Sequence, residues 1–260
     1  MNEVKLIDLH TDMVPDYGLC SYKDVKKHRE LQRKITWMEK YKPLGLRVKI
    51  LDAGEDGSQG MIEYIPGKYA HRPVDAAEFM FIHCIAVGYK KEYKRHGLGS
   101  MLLEACIDDA KGEGLKGVAL VTRKGSFMAD KHLFLKAGFE VVDTLAPDFS
   151  LLALKFDETT ANPRFKKENK ENLKQYAEGL TIMRSAQCPY TVKNVEKIVE
   201  TAEEMGMSVN LIEMDDHEMV QSVPCAFGVF CLMHEGEVIT HHPISGTRFR
   251  NIMKERTQRE

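Results

Sequence analysis

Hydrophobic and polar positions divide the chain into two runs of short alternating elements, separated by a polar stretch. VKLIDLH (4–10) alternates and predicts a first strand. Val25, Leu31, Ile35 and Met38 keep roughly helical spacing, which predicts a helix from Ser21 to about Tyr41, with Trp37 and Tyr41 as core residues. LRVKILDA and GMIEYI read as paired strands across the turn-rich GEDGSQG. FMFIHCIAV, Phe79 to Val87, is apolar almost throughout, as a central strand covered on both faces requires. A glycine turn, GLGS, then leads into a helix from about Ser100 to Gly112. KGVALVT is the next central strand, and KHLFLKAGF a short helix whose Gly138 suits a left-handed cap. EVVDTL and SLLALKF complete this run as two further strands.

The stretch from Phe156 to Gly179 has almost no apolar periodicity and reads as a linker that turns helical near its end. Its lysines alternate with glutamates, the pattern of a solvated surface. Beyond it, LTIMRS predicts a strand, Val192 to Met205 a helix, and SVNLIEM, AFGVFCLM and EVITHHP three more strands. Thr247 to Lys254 closes the chain as a helix, so the second run is βαβ, a hairpin, then a helix. These boundaries give a domain at 1–157, a linker at 158–176 and a smaller domain at 177–260, both α/β.

Charge removes several function classes. The formal net charge over 260 residues is −2, with acids and bases interspersed, so no basic face marks a nucleic-acid partner. No apolar run is long enough to span a bilayer. The start, MNEVKLIDLHTDM, is acidic and alternating, a strand and not a secretion signal, which makes the cytoplasm the expected compartment. The six cysteines are scattered and form no CxxC pair, so a zinc site is not expected. His241 and His242, with His217 and His234, have no cysteine or acid at ligand spacing and read as surface histidines.

The most informative chemistry lies in KRHGLGS, residues 94–100. Its glycines suit a turn that lets backbone N–H groups approach an anion at a helix start. A dinucleotide fingerprint needs a third glycine where Leu102 stands, and a phosphate loop ending in Gly-Lys-Ser/Thr is absent. The segment from Phe79 to Phe139 resembles the GNAT N-acetyltransferase superfamily instead. A long central strand precedes Lys94-Arg95-His96-Gly97-Leu98-Gly99, which fills that family's [RQ]xxGx[GA] frame, and KHLFLKAGFEVVD resembles its second landmark.

The resemblance covers about Met1 to Phe156. It implies a mixed sheet flanked by helices, acetyl-CoA as cofactor, and transfer to an amine. By the same resemblance, N–H groups from His96 to Ser100 face the pyrophosphate, helped by the charges of Lys94 and Arg95. Ile85, Ala86 and Val87 would run beside the pantetheine arm, one of their N–H groups facing the acyl oxygen. Two positions depart from the family: Lys94 replaces arginine or glutamine, and Phe134 takes the place of a proton-donating tyrosine beside the cofactor. Glu63, Glu78 and His83 are the candidate bases, although His83 sits within a strand, the setting of a satisfied core histidine. The expected acceptor is a small-molecule amine.

AQCPYT places Cys188 directly after a strand and before a helix, where the helix dipole favours a thiolate. This resembles glutaredoxins, with Thr191 in the place of their second cysteine. SVPCAFGVF resembles their Thr-Val-Pro segment, which makes Pro224 a cis-proline candidate and Cys225 a candidate resolving partner. The smaller domain thus resembles a thioredoxin-like module, and the whole chain the YoaP-type acetyltransferases. The alternative expectation is a thiol oxidoreductase, or a redox-regulated CoA-binding protein, acting through Cys188.

Overall fold

The computed structural model describes residues 2–20, 22, 24–125, 127–166 and 176–258. It separates into two compact units: one runs to Lys166 except for His71–Pro73, the other takes His71–Pro73 and the chain beyond Lys166. Residues 167–175 of the expected linker lie outside the described residues.

The first unit is built on seven strands: β1 (Lys5–Asp8), β2 (Arg47–Asp52), β3 (Ser58–Pro66), β5 (Phe79–Val87), β6 (Gly117–Arg123), β7 (Glu140–Leu145) and β8 (Phe149–Lys155). They lie in the order β1-β2-β3-β5-β6-β8-β7. A separate short pair joins β4 (Val74–Asp75) to β9 (Arg164–Phe165). Neighbours in the large sheet are antiparallel except β5 and β6, which run parallel. Helix α3 (Leu98–Gly112) makes the crossover that a parallel pair requires.

Helix α3 buries Leu98, Leu102, Cys106 and Ala110, one residue per turn, so a single stripe faces the sheet. That stripe shares a core with Ile62, Ile82, Val118, Leu120 and Leu152, and with Phe134 of α4 (Lys131–Lys136). Gly138 ends α4 at φ 87°, the left-handed cap its position predicts. A short helix, α1 (Val14–Tyr17), precedes α2 (Arg29–Tyr41), whose buried face carries Leu31, Lys34, Trp37, Met38 and Tyr41.

Helix α2 starts later than its apolar spacing suggests. The Asp24 carboxylate accepts from the N–H groups of Lys26 (3.0 Å) and Lys27 (3.3 Å), capping a separate 3-10 turn. His28 then returns to extended backbone before the helix begins. Ser21, the expected first residue, lies outside the described residues.

In the second unit the strands are β10 (Leu180–Arg184), β11 (Val209–Glu213), β12 (Phe230–His234) and β13 (Glu237–Thr240), ordered β11-β10-β12-β13. β10 and β11 are parallel, joined through α5 (Pro189–Glu204); β12 and β13 form an antiparallel hairpin. A short α6 (His217–Gln221) precedes the hairpin, and α7 (Gly246–Thr257) packs back on α5. A Cβ at Gly246 would lie 2.4 Å from the Thr201 hydroxyl, which explains why the contact carries glycine.

The last predicted strand pair needs correction. β12 begins at Phe230, not Ala226, because Cys225 to Val229 form turns, the Gly228 N–H donating to the Cys225 carbonyl at 2.8 Å. Val229 meets the end of β10, where its carbonyl accepts from the Ser185 N–H (3.0 Å). Among the described residues the cis peptide is Ala146–Pro147, and the bond before Pro224 is trans.

Candidate active site

The N-terminus of α3 is open. The first hydrogen bond of the helix runs from the Met101 N–H to the Gly97 carbonyl at 3.1 Å, so the N–H groups of Leu98, Gly99 and Ser100 precede the helical ladder. Arg95 (φ 65°) and Gly97 (φ 76°) are both left-handed and turn the chain into the helix. Nothing lies within 4 Å of a Cβ built on Gly97, so that side of the loop faces open space. Lys94, Arg95, His96 and Ser100 are exposed beside it. The aliphatic stem of Lys94 lies over Gly88, where an added Cβ would stand 2.7 Å from it. Tyr93 fixes the loop from beneath: it is buried, and its hydroxyl donates to Asp56, which also pairs with Lys90 at 2.5 Å.

The strand leading to this loop changes neighbours partway. β5 pairs with β6 only from Phe79 to Ile82, opposite Gly117 to Leu120. Beyond Ile82 the two strands separate, while β5 stays paired with β3 as far as Val87. The register with β3 shifts here: Tyr64 faces Ile82 and Glu63 faces Cys84, leaving His83 as the extra residue of a β-bulge. The edge of His83 to Val87 that β6 no longer covers points its backbone groups into the gap. Exposure rises along it, reaching 39% at Val87.

A buried charged group stands at the bulge. Glu63 is fully covered; Lys34 of α2 donates to one of its oxygens, and His83 Nδ1 lies 3.1 Å from the other. Lys34 Nζ sits 4.0 Å from the centre of the Trp37 ring, and the Trp37 and His83 rings lie 5.9 Å apart. Burial works to raise the Glu63 pKa. The Lys34 charge and the His83 hydrogen bond overcome that and bring it down to about 2. The carboxylate is therefore ionised, and His83 donates to it through Nδ1–H.

The second unit holds three of the six thiols, Cys188, Cys225 and Cys231. Cys188 is half-buried and caps α5 without a side-chain cap bond of its own. Thr191 is fully buried, and its hydroxyl lies 2.8 Å from the Cys188 carbonyl and 3.1 Å from the Ser185 carbonyl, locking this turn. Cys225 is buried in the same unit, its Sγ 3.2 Å from Nδ1 of His241. Burial works to raise the Cys225 pKa, but hydrogen bonds from Cys231 and His241, with the His241 charge, bring it to about 6. Among the described residues no three His, Cys, Asp or Glu side chains are grouped to hold a metal.

Comparison with known families decides the assignment. Residues 12–139 match the acetyltransferase (GNAT) family, a span that includes the bulged strand and the glycine loop. The chain carries a GNAT acetyltransferase domain. Residues 209–251 match the YoaP-like family. The chain is 29% identical over 250 residues to a Bacillus subtilis (strain 168) protein described as uncharacterized N-acetyltransferase YoaP, covering 95% of this chain and 97% of that one. Among solved structures, yncA of Salmonella typhimurium, a putative acetyltransferase with acetyl-CoA, aligns at TM-score 0.44 and 16% identity, over 62% of this chain and 98% of that one. A putative streptothricin acetyltransferase of Bacillus anthracis str. Ames, in complex with acetyl-CoA, gives TM-score 0.42 and 16% identity, over 60% and 99%.

Within this GNAT domain the sequence-selected residues separate into three groups. Ile85 to Val87 and Lys94 to Ser100 come together along one path from the strand gap to the helix start. Glu63 and His83 also meet, but their side chains are covered, so they hold the bulge and do not reach an acceptor. Glu78 precedes β5 at the end remote from Val87; it is exposed, and its carbonyl accepts from Lys116. Phe134 needs correction as a cofactor contact: it is fully buried, packed edge-on to Phe139 at 5.8 Å. Gly99 likewise serves packing, since a Cβ there would stand 2.9 Å from Leu133. Lys34 was missed, although a lysine on the apolar stripe of α2 was a visible signal. His241, expected at the surface, is the Cys225 partner because β13 carries it back across β12.

Proposed function

We propose that this acetyltransferase uses acetyl-CoA to acetylate the amine of a small molecule. One observation carries the reading: β5 leaves β6 at Ile82, and its uncovered edge leads to a helix start with open N–H groups. The residues present fit the cofactor, because the space beside Gly97 is empty and Lys94 and Arg95 stand exposed at its rim. When bound, acetyl-CoA supplies an activated acyl group as a thioester. The N–H groups of Leu98, Gly99 and Ser100, at the positive end of α3, hold the pyrophosphate, and Lys94 and Arg95 add formal charge. Backbone groups of Ile85, Ala86 and Val87 pair with the pantetheine arm and offer an N–H donor to the acyl oxygen.

We assign the acceptor to a cavity of about 50 Å³ beside β2 and β3, lined in part by Tyr17, Tyr22, Met61 and Tyr89. The three tyrosine rings suit a small cationic amine, while the Asp56 carboxylate is already held by Lys90 and Tyr93. The second unit is read as a thioredoxin-like module on its strand order and on Cys188 at the start of α5. Neither family match assigns it thiol chemistry, so acetyl transfer is preferred over oxidoreduction through Cys188.

Release of free CoA thiol from acetyl-CoA, followed across a panel of small amines, tests the reading. At least one amine is expected to raise release well above hydrolysis. Absence of CoA binding in calorimetry would overturn it.

A further inference from the structure

The second unit contains a group that acetyl transfer leaves unused. Cys225 and Cys231 stand on either side of the turn that opens β12, and they are 1% and 0% exposed. The thiols are within hydrogen-bonding reach of one another. Nδ1 of His241 lies 3.2 Å from the Cys225 sulfur, and the His241 carbonyl lies 3.6 Å from it. The register of the hairpin, with Leu232 opposite Thr240, brings His241 to this turn. A lone buried cysteine behaves as a small hydrophobe. Two thiols sharing a covered site with an imidazole are different, because the ring accepts a proton and the second thiol donates to the thiolate that forms.

We propose that Cys225 and Cys231 form a dithiol that a small hydroperoxide oxidises to an intramolecular disulfide, with His241 as its positioning base. The Cys225 thiolate attacks one peroxide oxygen. With hydrogen peroxide, the O–O bond breaks, Cys225 becomes a sulfenic acid, and the leaving hydroxide takes the imidazolium proton to become water; an organic hydroperoxide would release its alcohol instead. The Cys231 sulfur then attacks the Cys225 sulfur and the S–O bond breaks. The Cys231 proton leaves with the hydroxyl as a second water, and the S–S bond forms. Two thiols are oxidised by two electrons and one peroxide is reduced. Burial selects the oxidant: a bulky disulfide needs in-line approach to the sulfur, whereas a hydroperoxide is close to water in size.

The test uses the reduced full chain and hydrogen peroxide. After exposure, free thiols are blocked, oxidised ones are reduced and given a second label, and the sites are mapped by mass spectrometry. Trypsin leaves Cys225 and Cys231 together between Lys197 and Arg248, while Cys188 falls on the peptide ending at Lys193. The expected result is the second label on Cys225 and Cys231 in equal amounts, without Cys188. Before reduction, their shared peptide should be lighter by two hydrogens. In Cys231→Ser, Cys225 should stop at a sulfenic acid trapped by dimedone. In His241→Gln, the same disulfide should form at least ~10-fold more slowly, as expected from a smaller thiolate fraction. Second label on Cys188, or first label retained on both Cys225 and Cys231, would overturn the proposal. So would an unchanged rate in a folded His241→Gln. The mapping on the unmodified sequence stands even if a variant fails to fold.

Discussion

Two helices of this protein each follow a strand of their own sheet, and they begin with their first N–H groups differently placed. At α3 the entering residue is Gly97 in a left-handed conformation, with three N–H groups ahead of the helical ladder and open space beside them. At α5 the entering residue is Cys188 and the next is Pro189, which has no N–H; the Thr191 N–H is already turned back to the Cys188 carbonyl at 3.1 Å. The strands differ as well. β5 parts from β6 after Ile82, whereas β10 and β11 stay paired from Leu180–Val209 to Arg184–Glu213. A helix start alone therefore does not make a cofactor site. On the function proposed above, it becomes one where an uncovered strand edge leads into it.

The largest effect is expected where the strand gap is held open. Lys34→Met leaves the buried Glu63 carboxylate without its cation, which should destabilise the first unit by about 3–5 kcal/mol, measured by denaturant unfolding. The same group sets a pH dependence. Its pKa is lowered on folding, from 4.5 to about 2, so its stabilisation is full above 4.5 and fades as pH falls towards 2. Glu63→Gln should flatten the unfolding profile in that window.

Gly97→Val comes next. A β-branched residue is strained at φ 76°, and its side chain enters the space assigned to phosphate, so CoA affinity should fall at least ~100-fold, about 2.7 kcal/mol, by calorimetry. Lys94→Ala and Arg95→Ala should each weaken binding by roughly three- to tenfold, with the difference shrinking as salt rises. Gly99→Ala sharpens the comparison within one loop. Its Cβ meets only the end of a leucine side chain, so a small loss of melting temperature is expected with little change in CoA affinity. The smallest effect belongs to the other helix: Cys188→Ser should leave acetyl transfer unchanged in the thiol-release assay.

The elements were legible where one strand or helix carries its own signal. Phe79 to Val87 shows an apolar run broken only by His83 because most of it is covered on both faces, and its bounds agree with β5. The glycine loop was legible because left-handed backbone and open N–H groups restrict residue choice locally. The bulge was not legible: it arises from the register of β5 against β3, and nothing in either strand alone specifies it. The Lys34–Glu63–His83 group joins three elements far apart in sequence, so each residue taken singly looked like a stray charge. Resemblance misled at Pro224, because the strand it was expected to precede starts only at Phe230. It misled again at Phe134, whose place in the motif matches a cofactor contact but whose ring is fully enclosed in the core.

The central claim is that the uncovered edge of β5 and the start of α3 form one CoA site. Titrating CoA into isotopically labelled protein and following backbone amide signals tests it most directly. Shifts should concentrate at Ile85 to Val87 and at Gly97 to Ser100, with Cys188 to Asn194 unmoved. Shifts centred on the start of α5, with the α3 loop silent, would contradict it.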